Sequence, residues 1–117
     1  MASIFTRIIN GEIPCYKIAE DERFIAFLDV RPLKPGHTLA VPKKEVDYIF
    51  DLDPETLAGL TLFAQKVAAA MKEVVECNRI AVAVLGLEVP HAHVHLVPIT
   101  TESDLRFSNP RDRKSVV

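Results

Sequence analysis

The segment Pro90-His91-Ala92-His93-Val94-His95-Leu96-Val97-Pro98 constrains the fold more than any other part of the chain. Histidine recurs at every second residue, which is the side-chain period of an extended strand. His91, His93 and His95 are therefore expected on one face, with Ala92, Val94 and Leu96 on the other. The spacing predicts a strand over 90–98 whose apolar side turns to a core and whose imidazole side carries chemistry. A strand that only needed a wet face would draw on Thr, Lys, Glu or Ser, so three alternate histidines point to function.

Two chemistries suit such a row. Neutral imidazole is a common metal ligand, and a His-x-His pair can hold zinc when another ligand arrives from elsewhere. At about 3.3 Å of rise per residue His91 and His95 start roughly 13 Å apart, too far for one ion with ligands at about 2.0–2.1 Å to collect all three. The other chemistry is covalent catalysis, in which one imidazole attacks an electrophile, a second moves a proton and others fix tautomer and orientation.

The rest of the chain supplies a small frame for this segment. At 117 residues, 49% hydrophobic and 26% charged, it has the size of one α+β domain spanning residues 1–117. With 14 basic and 16 acidic residues the net charge is −2, which offers no electrostatic footprint for nucleic acid or an anionic membrane. No apolar run approaches the roughly 18 residues of a membrane span, and the N-terminus lacks a signal-peptide pattern, so a cytoplasmic location is expected. Cys15 and Cys77 are isolated and read as buried free thiols. No glycine-rich phosphate loop is present, which removes the P-loop and Rossmann readings, and no cofactor is expected.

In chain order, Ser3 is suited to cap a short helix through about Ile9, which Asn10-Gly11 would end. Tyr16–Ala19 and Phe24–Leu28 read as a hairpin, and the Pro- and Gly-containing loop 31–36 delivers His37 to a strand over Thr38–Val41. Asp53-Pro54-Glu55 is a strong helix start, and Leu57, Leu60, Ala64, Val67, Ala68, Met71 and Val75 continue at helical spacing to about Glu76. Ile80–Val84 reads as a fourth strand and the histidine segment as the fifth. Together these give a five-stranded antiparallel sheet with one long and one short helix. Residues 103–117 show no periodicity and read as an irregular or partner-ordered tail.

His91 to Val97 also fits the pattern His-φ-His-φ-His-φ-φ, with φ apolar, and so resembles the histidine triad (HIT) superfamily. The segment Ile4–Pro14 (IFTRIINGEIP) and the segment Phe27–Lys44 (FLDVRPLKPGHTLAVPKK) resemble HIT proteins in order and spacing, particularly the nucleoside phosphoramidase-like branch. The resemblance implies a nucleotide hydrolase or transferase that cleaves a P–N or P–O bond at the α-phosphate of a purine nucleotide or nucleoside phosphoramidate. It makes His93 the nucleophile, His95 the proton donor to the leaving group, and His91 and His37 the members that complete the cluster. It places Asp29 at the ribose hydroxyls and Phe5, Ile8, Ile13, Phe27 and Val30 around the base. It further implies a homodimer with a continuous sheet. Some relatives carry a zinc-binding Cys-x-x-Cys where this chain has Ser3 and Thr6, so that metal is not expected.

The chain departs from its family just ahead of the triad. Leu87 and Glu88 stand where many HIT proteins have Gln followed by Ser or Thr, and Ala83-Val84-Leu85-Gly86 replaces a glycine-rich approach containing Asn. Several usual phosphate donors are thus missing, and Glu88 would oppose a phosphate if it faces one, a direction that the turn 85–89 leaves open. A nucleotide-binding or scaffold protein with little turnover is the alternative reading, and a transition-metal hydrolase a third.

Overall fold

A computed structural model of the chain describes residues 2–111. The elements are α1 (Ile4–Ile9), β1 (Lys17–Glu20), β2 (Phe24–Leu28), β3 (Thr38–Pro42), α2 (Pro54–Val74), β4 (Arg79–Ala83) and β5 (Val94–Ile99). The five strands form one antiparallel sheet in the order β1-β2-β3-β5-β4, so the fold is α+β with one long and one short helix, as expected. Among the described residues no helix is long and apolar enough to cross a membrane.

Both helices start where their caps predict. The Ser3 hydroxyl accepts the Thr6 N–H at 3.0 Å, and Asp53 Oδ2 accepts the Thr56 N–H at 3.0 Å. Gly11, at φ +80°, supplies the left-handed residue that turns the chain out of α1. The long helix stops at Val74, two residues before the expected Glu76. Val75 is already extended, at φ −114° and ψ 124°, and packs against Gly36 in the loop before β3. A β-carbon at Gly36 would lie 3.0 Å from Val75 Cγ2, a tight approach, and the backbone there has φ +90°, so glycine suits the position on both counts.

The sheet separates two cores. On one face α2 lays Leu60, Phe63, Ala64, Val67 and Met71 against Phe24, Ala26, Ala40, Ala92, Val94 and Leu96. On the other, Phe5 of α1 covers Ile25, Phe27, Leu39 and Val41. Strands β2 and β3 are therefore buried on both sides and read as continuous apolar runs. The expected two-sidedness of the histidine segment holds, since Ala92, Val94 and Leu96 join the α2 core while Phe5, on the opposite face, touches the rings of both His91 and His93.

Two expectations need correction. The strand does not extend over 90–98: it begins at Val94, because Pro90 has no N–H, the His91 N–H turns back to Val89 O at 2.8 Å, and the Ala92 N–H goes to Val46 O at 2.7 Å. Only His95 lies within the ladder, opposite Leu39 on β3 and Ala83 on β4. Neither cysteine is fully buried, and Cys15 borders a cavity. The tail is partly ordered, with a short 3-10 turn at Glu102–Leu105. Residues 112–117 of the expected irregular tail lie outside the described residues.

Candidate active site

The loop ahead of β3 fixes His37 before any other group of the site. The Asp29 N–H donates to His37 O at 2.9 Å, and the Leu33 N–H donates to His37 Nδ1 at 3.0 Å. A ring nitrogen that accepts from an amide carries no proton, so neutral His37 holds its hydrogen on Nε2. That Nε2 lies 3.0 Å from His95 Nδ1, which must therefore be the acceptor. The remaining proton of neutral His95 is left on Nε2. One backbone amide, acting through the His37 ring, thus makes His95 a donor through Nε2.

His91 and His93 resolve in the same way. His91 Nε2 lies 2.7 Å from Pro42 O and must donate to it, so His91 Nδ1 accepts the Ser3 hydroxyl at 2.7 Å. Glu45 anchors this cluster by accepting from the Ser3 N–H at 2.8 Å and from the Thr6 hydroxyl. His93 Nδ1 lies 2.7 Å from His91 O, a carbonyl that can only accept. The His93 proton therefore sits on Nδ1, and Nε2 presents a lone pair. The His93 and His95 rings meet edge to face with centroids 4.9 Å apart, one offering a lone pair and the other an N–H.

Burial keeps these rings neutral. It is the largest influence on all four histidines and pushes each below its usual value, His37 to about 4 and His95 to about 3. Nearby carboxylates work against it without overcoming it: Asp29 raises His37 and His93, Glu45 raises His91, and Glu88 raises His93.

His93 and His95 open onto a cavity of about 400 Å³. Asp29 lines it, with Oδ1 accepting the Arg31 N–H at 2.8 Å and Oδ2 3.6 Å from His37 Nε2. The five apolar residues assigned to a base pocket, Phe5, Ile8, Ile13, Phe27 and Val30, all border this same cavity. His37 and His91 are fully buried behind it. Leu87 and Glu88 border it as well, Leu87 at its open rim with 94% of its surface exposed. Sequence reasoning missed Leu39, Phe107 and Arg111, the last two from a tail with no pattern to announce them.

Two places could be thought to hold a metal. Asp29, His37 and His95 offer ligand atoms within 4.8 Å of one another. Ligation there would require His37 Nε2 to give up its proton while Nδ1 is already committed to the Leu33 N–H, and would break the His37–His95 bond. At the start of the chain, Ser3 and Thr6 provide neutral hydroxyls where zinc needs thiolates or imidazoles, and the Ser3 hydroxyl occupies the lone pair of His91. Neither donor set suits a resident metal.

Comparison with known proteins gives a consistent picture. A family model described as the HIT domain matches residues 10–102. The chain is 38% identical over 102 residues to an uncharacterised HIT-like protein of Methanocaldococcus jannaschii, covering 81% of this chain and 77% of the other. It is 36% identical over 107 residues to an adenosine 5'-monophosphoramidase of Schizosaccharomyces pombe, covering 87% and 77% respectively. Among solved structures, a zinc-bound histidine triad family protein from Mycobacterium smegmatis superposes with a TM-score of 0.83 at 34% identity, covering 98% of this chain and 88% of that one.

Proposed function

This chain belongs to the HIT family, and from that premise we propose that it cleaves a nucleotide at the α-phosphate through a nucleotidyl intermediate on His93, with purine nucleoside phosphoramidates as the leading substrates. One observation carries the reading: His93 has its proton tied to His91 O and its Nε2 lone pair free beside a donor, His95 Nε2–H, in a cavity that also holds Asp29. A nucleophile needs that lone pair, and a leaving nitrogen needs that donor. The Schizosaccharomyces pombe relative, named as an adenosine 5'-monophosphoramidase, supports the substrate class.

In this scheme His93 Nε2 forms a bond to phosphorus while the P–N bond breaks. The departing nitrogen keeps the electron pair, accepts the hydrogen bond of His95 Nε2–H, and leaves as the amine with a proton drawn from solvent along that contact. Water then replaces His93 on phosphorus and returns a proton to solvent. Asp29 accepts hydrogen bonds from the ribose hydroxyls, and the apolar wall holds the base. A second copy of the chain would add its strand to an open sheet edge and continue the sheet. β4 is one such edge, and it exposes Val82 at 62%. Sedimentation at micromolar concentration tests that pairing.

A slow or non-catalytic nucleotide-binding protein is the second reading, favoured by Glu88 at the cavity where a phosphate would sit. Rapid mixing with a radiolabelled nucleoside phosphoramidate separates the two. The catalytic reading expects an acid-labile labelled protein, absent in His93→Ala, followed by repeated release of nucleotide. Tight binding without label or turnover would overturn it.

A further inference from the structure

The segment after β5 returns to the histidines in a way the reading above does not use. Phe107 lies edge-on against His95, with centroids 4.7 Å apart at 72°. Arg111 in turn covers the Phe107 ring, its guanidinium carbon 5.2 Å from the centroid. Arg111 Nη1 donates to Arg31 O at 2.7 Å and Nη2 to Phe107 O at 3.4 Å. Both acceptors are neutral carbonyls. Among the described residues no carboxylate pairs with Arg111.

A guanidinium carries five N–H donors in a planar fork, so three remain beyond those two bonds. Arg111 is thus oriented by backbone and ring with no neutralising carboxylate among the described residues, at the border of the cavity that His93 and His95 share. Its charge is felt at His37 and His95, while that of Glu88 is felt at His93. Asp29 also acts on His37 and His93 and lies within 4.8 Å of His95, so Arg111 brings a cation to a site that also carries the carboxylates of Asp29 and Glu88. Three uncommitted N–H donors on a cation at the cavity border suit a planar or tetrahedral oxyanion.

We propose that Arg111 reads a second anionic group of the substrate, beyond the α-phosphate and on the leaving-group side. The preferred substrates are then nucleotides whose leaving group bears a carboxylate or a further phosphate. This rests on the nucleotide reading for its site, and its test is chosen to stand apart from turnover.

The first arm is calorimetric binding of AMP and ADP to the full chain. The wild-type protein binds ADP about tenfold more tightly than AMP, the size of one hydrogen bond to a charged group. Arg111→Ala brings that ratio close to one, and Arg111→Lys, which keeps the charge and loses the fork, falls between. The second arm compares kcat/KM for two adenosine phosphoramidates, one of an alkylamine and one of an ω-amino acid of equal length. A preference for the amino acid that Arg111→Ala removes identifies the carboxylate; a lost ADP preference alone identifies the phosphate. Equal wild-type affinity for AMP and ADP together with equal rates on the two amides would overturn the proposal. So would an Arg111→Ala loss that is the same for every ligand, since the arginine would then act on the α-phosphate or the fold. If no amide is turned over, the hydrolase reading fails, and the AMP/ADP ratio still decides the role of Arg111.

Discussion

His93 Nδ1 lies 2.7 Å from the carbonyl oxygen of His91, so the backbone of one histidine sets the tautomer of the next. The His91 side chain is itself held at both ring nitrogens, by Ser3 and by Pro42 O. The lone pair on His93 Nε2 is thus a product of the fold and needs no charged partner.

In the proposed reaction, replacing His93 removes the attacking nitrogen and little of the binding surface. His93→Ala should abolish turnover while nucleotide affinity stays within roughly tenfold, because a nucleophile contributes mainly to the chemical step. Steady-state rates and calorimetry on the same preparation check this. Residual turnover above a few per cent would contradict the mechanism.

Asp29 is expected to read the ribose. Asp29→Ala should weaken nucleotide affinity by about 1.5–3 kcal/mol, the usual scale for hydrogen bonds to a charged acceptor, and should affect a 2′,3′-dideoxy ligand far less. Since Asp29 Oδ1 also accepts the Arg31 N–H, the dideoxy ligand is the necessary control for loop disturbance. Equal losses for both ligands would remove the ribose role.

Glu88 borders the cavity and its charge reaches His93. Two unit charges about 5 Å apart repel by roughly 1 kcal/mol in water and about 3 at an effective dielectric of 20. Glu88→Gln should therefore raise kcat/KM by about fivefold or more for a phosphoramidate with a neutral or anionic leaving group, and lower it for a cationic one. The comparison uses amides that differ only in leaving-group charge, and an unchanged rate on all of them would place Glu88 outside the reaction's field.

The depressed histidines make an acid-sensitive fold. His37, at about 4, and His95, at about 3, sit below the value of about 6.5 expected in the unfolded chain, which therefore binds more protons between those limits. Their contribution is complete above about pH 6.5 and is lost as pH falls toward the folded values, at up to about 1.4 kcal/mol per pH unit for each histidine. Glu20, held at about 2 by hydrogen bonds from Lys43 and Lys17, loses its contribution only as pH falls from the ordinary carboxylate value of about 4.5 toward about 2, so a loss between pH 7 and pH 5 belongs to the histidines. Urea midpoints should fall between pH 7 and pH 5; a flat midpoint there would show that the histidines are protonated in the fold without cost.

Much of this site could be read from residues alone, and the parts that could not share a cause. The alternation of His91, Ala92, His93 and Val94 told which side each faces, and Asp53-Pro54 located the long helix, because side-chain period and caps are local properties. Where the ladder begins depends on the partner each N–H finds. Ala92 gives its N–H to Val46, half the chain away, and no pattern in 90–98 shows that. Val75 leaves the helix early to meet Gly36, again a distant contact. Phe107 and Arg111 were illegible for the same reason: a tail without periodicity acquires a position only from the surface it lands on.

The order β1-β2-β3-β5-β4 puts His37, at the entry to β3, and His95, on β5, on adjoining inner strands with neighbours on either side. Backbone amides there should exchange with deuterium only when the whole sheet opens, whereas those of 85–89 and 106–111 should exchange through local fluctuations. Substitutions in the slow class would be felt as lost folding and those in the fast class as altered substrate choice. A lineage could in this way change what the protein acts on many times over while its reactive imidazoles stay in place.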